Sequence, residues 1–352
     1  MFLAVHKSEE KGTTDLADGS GGGSTIVTIE DIRQAQQRLR GCAARTPLVG
    51  CEENGRRLWL KPESFQPIGS FKLRGAYNKI ASLPDDERRR GVITYSSGNH
   101  AQGVAYSARA LGTKAVVVMP GGAPLIKIEA TKALGAEIVA VGPTSGERQA
   151  KAEELAAQHG YVIIPPFNDE KIIAGQGTIG LEIVEDLPEV DLVLVPVGGG
   201  GLISGVATAV KLLRPQAKLV GVEPELAADA QASLRAGKIV AWPGEQVGRT
   251  IADGLRTQHV GEINFEHIRR YVDDIVTVSE DEIREAMRWL ALSARLVAEP
   301  SGAVTSAAFF FHYDELPRVG KTVAIISGGS VEPQLLASVL EGGWLEATVN
   351  SD

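Results

Sequence analysis

Cysteine is nearly missing from this chain: Cys42 and Cys51 are the only two among 352 residues. Two thiols build no disulfide framework and their spacing matches no metal-ligand pattern, so a reduced, cytoplasmic setting is expected. Long apolar runs are missing too. No stretch approaches the roughly 20 residues of a membrane-spanning helix, and the N-terminal FLAV is too short for a signal-peptide core. A basic block is also lacking: 36 Lys and Arg stand against 44 Asp and Glu, a net charge of -8, which leaves no electrostatic footprint for nucleic acid. Aromatics make up 5% of the chain, yet 43% is hydrophobic. That is ample for a large core in two domains, or one large one.

Residues 1–24 end in ADGSGGGS, a linker composition, and read as a disordered arm. TIEDIRQAQQRL then places Ile32, Ala35 and Leu39 on one helical face. RTPLV reads as a short extended stretch and RRLWLK as a strand. From Gly91 short apolar strands alternate with amphipathic helices: VITY, AVVVM, EIVAV and YVII, then, after PPFN, LVLVPV, KLVGV, DIVTV and TVAII. Such alternation predicts right-handed βαβ units on parallel sheets. Glu223 to about Thr257 reads as a polar stretch, and Ser279 with Glu282 as a capping box opening a helix. The fold class expected is α/β with two doubly wound parallel-sheet domains. Residues 25–90 plus 167–340 form the larger, 91–166 a smaller inserted one, and 341–352 a tail.

The chemistry centres on GSFKLRGA, Gly69 to Ala76. Lys72 stands between Phe71 and Leu73, and Ser70 is placed to cap a helix over 71–80. An amine among apolar groups loses hydration in its charged form, so its pKa falls and it becomes a candidate Schiff-base nucleophile. Gly198, Gly199, Gly200 and Gly201 lie between a buried strand and a helix start, where converging amides suit a phosphate. The dinucleotide pattern G-x-G-x-x-G fails there, since its last position falls on Ile203 or Ser204, although Glu223 stands where a ribose-binding acid would. SSGNH, Ser96 to His100, is a second strand-end loop suited to a carboxylate, and SGGS, from Ser327, a third. A desolvated lysine, a phosphate loop, a carboxylate loop and a strand-end hydroxyl are the parts a pyridoxal phosphate enzyme requires.

SFKLRGA, SSGNHAQG, AGQGTI, PVGGGGLISG, GVEP, TIADG, AEPSG and ISGG resemble, in order, the motifs of fold-type II pyridoxal phosphate enzymes. Threonine/serine dehydratases and serine racemases are the nearest, with a tryptophan synthase beta-like fold. The resemblance runs from about Thr28 to Pro333. It implies that Lys72 carries the cofactor, beside Phe71, and that Asn99 bonds its phenolic oxygen. Gly198 to Gly201 with Leu202 would hold the phosphate, and Ser327 would face the pyridine nitrogen. Ser96, Ser97, Gly98, Asn99, His100 and Arg148 would line the substrate site, with Ser97 as a second catalytic base in a racemase. Glu223, Ala227 and Asp229 would hold Mg or another divalent cation. The activity implied is elimination of water and ammonia from L-threonine or L-serine, in a homodimer. A serine racemase or a threo-3-hydroxyaspartate ammonia-lyase is the alternative. An NAD-dependent oxidoreductase and a non-catalytic binding protein are the rivals from other classes.

Overall fold

A computed structural model describes residues 26–342 except 54, 97, 124 and 143, and omits the side chains of Ile126 and Ser145. The N-terminal arm, Ser97 and residues 343–352 of the tail therefore lie outside the described residues.

The first helix, α1 (Ile29–Leu39), starts at Thr28, whose hydroxyl accepts from the Asp31 N–H while the Asp31 carboxylate accepts from the Thr28 N–H. Ile32, Ala35 and Leu39 are buried, as their spacing predicts. Strands β1 (Val49–Glu53) and β2 (Arg56–Pro62) form an antiparallel hairpin. Next come α2 (Lys72–Ala81) and α3 (Asp85–Arg90). The alternating block follows: β3 (Val92–Tyr95), α4 (Asn99–Ala110), β4 (Ala115–Pro120), α5 (Leu125–Ala133), β5 (Glu137–Val141), α6 (Ser145–His159) and β6 (Val162–Ile163). Its four strands pair in parallel in the order β5-β4-β3-β6.

The chain continues through α7 (Glu170–Asp186), β7 (Leu192–Pro196), α8 (Gly201–Leu213), β8 (Lys218–Pro224), α9 (Asp229–Ala236) and α10 (Gly244–Val247). It closes with α11 (Glu262–Tyr271), β9 (Asp274–Val278), α12 (Glu280–Leu292), α13 (Pro300–Phe311), β10 (Thr322–Ile326) and α14 (Pro333–Glu341). The second sheet has six strands in the order β1-β2-β10-β7-β8-β9. Its pairings are parallel except β1 with β2, so this sheet is mixed rather than wholly parallel. Pairing residue for residue from Val49 with Leu60 to Glu53 with Arg56 holds β1 antiparallel to β2.

Helices cover both faces of this sheet, and the two-residue period of its strands sorts the core accordingly. Leu192, Leu194, Val220, Val222, Ala324 and Ile326 pack with α12 and α13. Val193, Val195, Leu219, Ile275, Val323 and Ile325 pack on the other face with α8 and α11. At about 1.5–3 kcal/mol for each fully buried aliphatic side chain, these two layers hold the strand ends in place.

Helix α2 is gripped by α4 and α7. A Cβ at Gly175 of α7 would lie 2.6 Å from both the Arg74 carbonyl oxygen and the Gly75 Cα, and one at Gly103 of α4 would lie 3.1 Å from the Lys72 carbonyl oxygen. Three glycines thus set the contact distances around the turn that carries Lys72.

Ser70 caps nothing: α2 begins at Lys72, its N-cap Phe71 makes no side-chain cap bond, and Ser70 is drawn into a bridge with Gly328. In the polar stretch after Glu223, α9 and α10 form, and Ala227, Asp229, Ala230 and Ser233 are buried. Among the described residues no helix is long and apolar enough to cross a membrane.

Candidate active site

Lys72 opens α2, where its Nζ donates to the Pro166 carbonyl oxygen at 2.8 Å and lies 5.2 Å from the centre of the Phe71 ring. Burial pushes the amine down to about 8, against the upward pull of the Glu299 carboxyl. A lysine at this value holds a usable fraction of free base near neutral pH.

The loops predicted from the sequence converge on this amine. Phe167, next to the lysine's carbonyl partner, presses on the tetraglycine loop: a Cβ at Gly199 would lie 2.3 Å from its ring. A Cβ at Gly198 would meet the Leu255 Cα at 3.2 Å, and one at Gly200 the Asn264 Cβ at 2.8 Å. No side chain fits, so the loop presents backbone alone. Gly200, with φ +92°, is the N-cap of α8 and makes no side-chain cap bond. Uncapped amides at the start of a 13-residue helix, with Gly201 and Leu202 in its first turn, fit a phosphate.

On the other side the Phe71 N–H donates to the Ser327 carbonyl oxygen at 3.0 Å, binding the lysine segment to the end of β10. The buried Ser327 hydroxyl donates to the Ser301 carbonyl oxygen at 3.3 Å. Asn99 begins α4, and its Nδ2 donates to Glu299 Oε1 at 2.7 Å. A desolvated amine, bare helix-start amides, a directed amide and a strand-end hydroxyl around one place fit pyridoxal phosphate.

The rest of SSGNH is arranged for neutral recognition. Ser96 Oγ accepts from the Gly98 N–H at 3.3 Å. His100 is buried with Nε2 3.0 Å from the Ile164 carbonyl oxygen. Burial, with the Lys72 charge adding, pushes its ring down to about 3. It is therefore neutral, with Nε2–H donating to that carbonyl, and a carboxylate would meet amides here rather than a cation. Arg148 sits half-buried in the first turn of α6. Its loop follows β5 and SSGNH follows β3, both at carboxyl ends of the same parallel sheet.

Glu223 does not face a ribose site. It is fully buried, and its two oxygens accept from the N–H groups of Ala230 and Gln231, at 3.0 and 2.8 Å, in the first turn of α9. Asp229 lies beside it with both carboxylate oxygens buried and without hydrogen-bond partners among the described residues. Burial pushes Asp229 up to about 7, while burial and the neighbouring Asp229 charge push Glu223 well above its usual range. Unpartnered buried oxygens of this kind, next to the buried Ala227 backbone, suit a hard cation. Among the described residues no three His, Cys, Asp or Glu side chains gather as a metal site, so such an ion would draw on backbone or water oxygens as well.

Nothing in the sequence singles out Glu299, because in AEPSG an acid just before a helix reads as a cap. It is the N-cap of α13, yet its side chain makes no cap bond and turns to Asn99 instead.

Comparison with known proteins agrees with this geometry. The family of pyridoxal-phosphate dependent enzymes matches residues 39–328. The chain is 45% identical over 327 residues to an L-threonine ammonia-lyase of Thermotoga maritima, covering 92% of this chain and 80% of that protein. It is 41% identical over 322 residues to an L-threo-3-hydroxyaspartate ammonia-lyase of Saccharomyces cerevisiae, covering 90% and 97%. The structure of maize serine racemase superposes with a TM-score of 0.85 at 37% identity, covering 89% and 97%. The chain belongs to the pyridoxal-phosphate dependent enzymes, in the fold-type II group that includes threonine ammonia-lyases and serine racemases.

Proposed function

We propose that this protein is an ammonia-lyase acting on a β-hydroxy α-amino acid, L-threonine or L-serine, to give a 2-oxo acid and ammonia. The observation that carries this reading is the buried Lys72 Nζ, held 2.8 Å from the Pro166 carbonyl oxygen, with the tetraglycine loop on one side and Asn99 on the other. When bound, pyridoxal phosphate supplies an electron sink that makes the substrate Cα–H acidic.

The chain's own residues divide the remaining work. Lys72, beside Phe71, would tether the cofactor aldehyde and, once released, its free amine would take the Cα proton at Nζ. The amides of Gly198 to Gly201 and Leu202 would hold the phosphate. Ser327 would meet the ring nitrogen with a neutral hydroxyl, and Asn99 the phenolic oxygen. Ser96, Gly98, Asn99 and the neutral His100 would receive the substrate carboxylate, with Arg148 reaching toward it from α6. Glu223, the Ala227 carbonyl and Asp229 would hold a divalent cation, Mg in the first instance. Residues 91–166 act in this reading as an inserted substrate-binding domain on the body formed by 25–90 and 167–340. A homodimer and a reducing, cytoplasmic setting complete it, the latter supported by two free cysteines; light scattering should return about twice the 37.3 kDa chain mass.

The test is borohydride reduction of the cofactor-loaded protein followed by peptide mapping, with turnover of L-threonine, L-serine, D-serine and L-threo-3-hydroxyaspartate measured alongside. Label on the peptide containing Lys72, together with ammonia release, supports the reading. Label elsewhere, or no turnover of any of the four, refutes it. Racemisation is the second reading, favoured by the likeness to maize serine racemase, with Ser97 as the base opposite Lys72. Ser97→Ala separates the two: racemisation should collapse while elimination from the L-isomer survives.

A further inference from the structure

Glu299 is a buried, hydrogen-bonded acid near Lys72 that the mechanism leaves unused. Its carboxyl is buried where three loops meet. Oε1 accepts from Asn99 Nδ2 at 2.7 Å, on the SSGNH side. A Cβ at Gly328 would lie 2.6 Å from Oε1, so the loop after β10 closes directly over the carboxyl. The third loop is TIADG, where the Gly254 N–H donates to Ser301 Oγ at 2.9 Å, two residues beyond Glu299. A capping role would explain an acid at this position, but no cap bond is made. A solvated surface acid is excluded by 4% exposure.

We propose that Glu299 is a positioning residue for the reaction: its buried carboxyl fixes the Asn99 amide in one orientation and acts electrostatically on Lys72, whose segment bridges through Ser70 to the Gly328 loop over that carboxyl. This rests on the pyridoxal phosphate reading above. The orientation argument is one of hydrogen-bond arithmetic. Oε1 accepts from Asn99 whether or not the other carboxyl oxygen carries a proton, so it holds the Nδ2 end of Asn99 and leaves the second N–H of that nitrogen to point into the site. Without the carboxyl the amide is free to turn over, which would offer its oxygen to an anionic cofactor oxygen and repel it.

Charged groups surround the Glu299 carboxyl. Asp253 and Lys127 face it, forming a mutual ion pair at 2.6 Å. Lys72 lies two residues past Ser70, which bridges Gly328 beside the carboxyl, and His100 stays neutral. Burial first, and the Asp253 charge next, push Glu299 up to about 8, against the bond from Asn99 and the Lys127 charge. The Glu299 charge raises Lys72 against the effect of burial, so removing that charge should lower the lysine further.

Two variants separate these effects in the full chain. Glu299→Gln keeps an accepting oxygen for Asn99 but removes the charge; Glu299→Ala removes both. Cofactor affinity, read from the visible absorption of titrated protein, should stay within about threefold of wild type in E299Q and weaken about tenfold or more in E299A, the loss of one buried hydrogen bond. The pH midpoint of Lys72 acetylation in cofactor-free protein, read by mass spectrometry, should fall by at least about half a unit in E299Q. Equal affinities for wild type and E299A, or equal losses in both variants, would overturn the positioning role. An unmoved acetylation midpoint would overturn the coupling. Asn99→Ala guards against misfolding of E299A: the cofactor losses of N99A and N99A/E299Q should be equal, because the carboxyl acts through that amide, and additive losses would refute the proposal. If wild type takes up no cofactor, the functional reading fails, whereas the acetylation midpoint still tests the link between Glu299 and Lys72.

Discussion

Replacing Arg74 with methionine should destabilise the protein and also reverse the sign of one part of its pH dependence. Arg74 lies two residues past Lys72 and is almost fully buried. Its Nε and Nη2 donate to the two oxygens of Glu63 at 2.8 Å each, and its Nη1 and Nη2 to the two oxygens of Glu182 at 2.7 and 2.9 Å. Thr178 Oγ and the Ala44 carbonyl oxygen accept further bonds. Lys61 Nζ completes the cluster by donating to Glu182 Oε2 at 2.7 Å. Two cations balance two carboxylates, and together they pin α2 to α7 and to the turn at Glu63. Methionine fills much of the volume but leaves two buried carboxylates against one lysine. Breaking a buried pair in this way costs about 3–5 kcal/mol.

The pH sign follows from Glu63. Burial alone would push its carboxyl up, but Arg74 and Lys61 override this and hold it below its usual value of 4.5. In wild type this group therefore contributes stability above pH 4.5 that is lost as pH falls through the lower folded value. Without Arg74 the burial effect dominates and the folded value rises above 4.5. The folded state then binds more protons than the unfolded one, so that contribution declines as pH rises. Urea unfolding at pH 5, 6.5 and 8 reads both effects. Adding Glu63→Gln should recover about half of the loss, since it removes the stranded charge. A change below 1 kcal/mol, or no difference between wild type and variant in how stability varies over pH 5 to 8, would refute the argument.

Gly199→Ala should weaken cofactor affinity about tenfold or more, because its Cβ would sit 2.3 Å from the Phe167 ring and force the phosphate loop to shift; a binding titration checks this. Lys61→Met should lower stability by about 2–3 kcal/mol with little change in cofactor affinity, because Glu182 keeps Arg74 as a partner; Lys72→Ala should do the reverse. His312 bonds to Glu282 and Glu315, and the bond from Glu282 leads in raising its ring from 6.5 to about 9. His312→Gln should cost about 1 kcal/mol at pH 6, where that stabilisation is complete, and close to nothing at pH 10, where wild type has already lost it.

The parts of this fold that the sequence discloses are those where one residue pattern has one structural solution. The strands from Val92 onward are short apolar runs between helices, and a parallel sheet buried on both faces is what such runs form. Ser279 and Glu282 read as a capping box and form one, with the Ser279 N–H donating to the Glu282 carboxylate at 2.7 Å. Helix α13 escapes the same reasoning. Buried almost all round from Pro300 to Phe309, it has no polar face and therefore no helical period to detect. Helix α11 has such a face, with Phe265 and Ile268 buried and Arg269 and Arg270 exposed, and could have been found from that spacing. The first strand is hidden because VGCEE carries neither a clear alternation nor a strong apolar run; its place depends on pairing with β2.

Lys61 and Lys72 show where local reading of the site ends and geometry takes over. Both follow an apolar residue, Leu60 and Phe71, and neither has an acid next to it in the chain before Glu63. Burial pushes both amines down. The difference lies in what each meets. Lys61 finds the Glu182 carboxylate at 2.7 Å, contributed by a helix more than a hundred residues away. Among the described residues, Lys72 Nζ donates to the carbonyl oxygen of Pro166 at 2.8 Å, and the acid that acts on it, Glu299, is itself held to Asn99. A carboxylate partner keeps a buried amine charged and inert, whereas a carbonyl partner leaves the free base within reach. No spacing rule separates these outcomes, because each partner comes from a remote element brought in by the sheet order. What singled out Lys72 in the sequence was the company of the glycine loop, SSGNH and SGGS, three strand-end loops that a structural lysine has no need of.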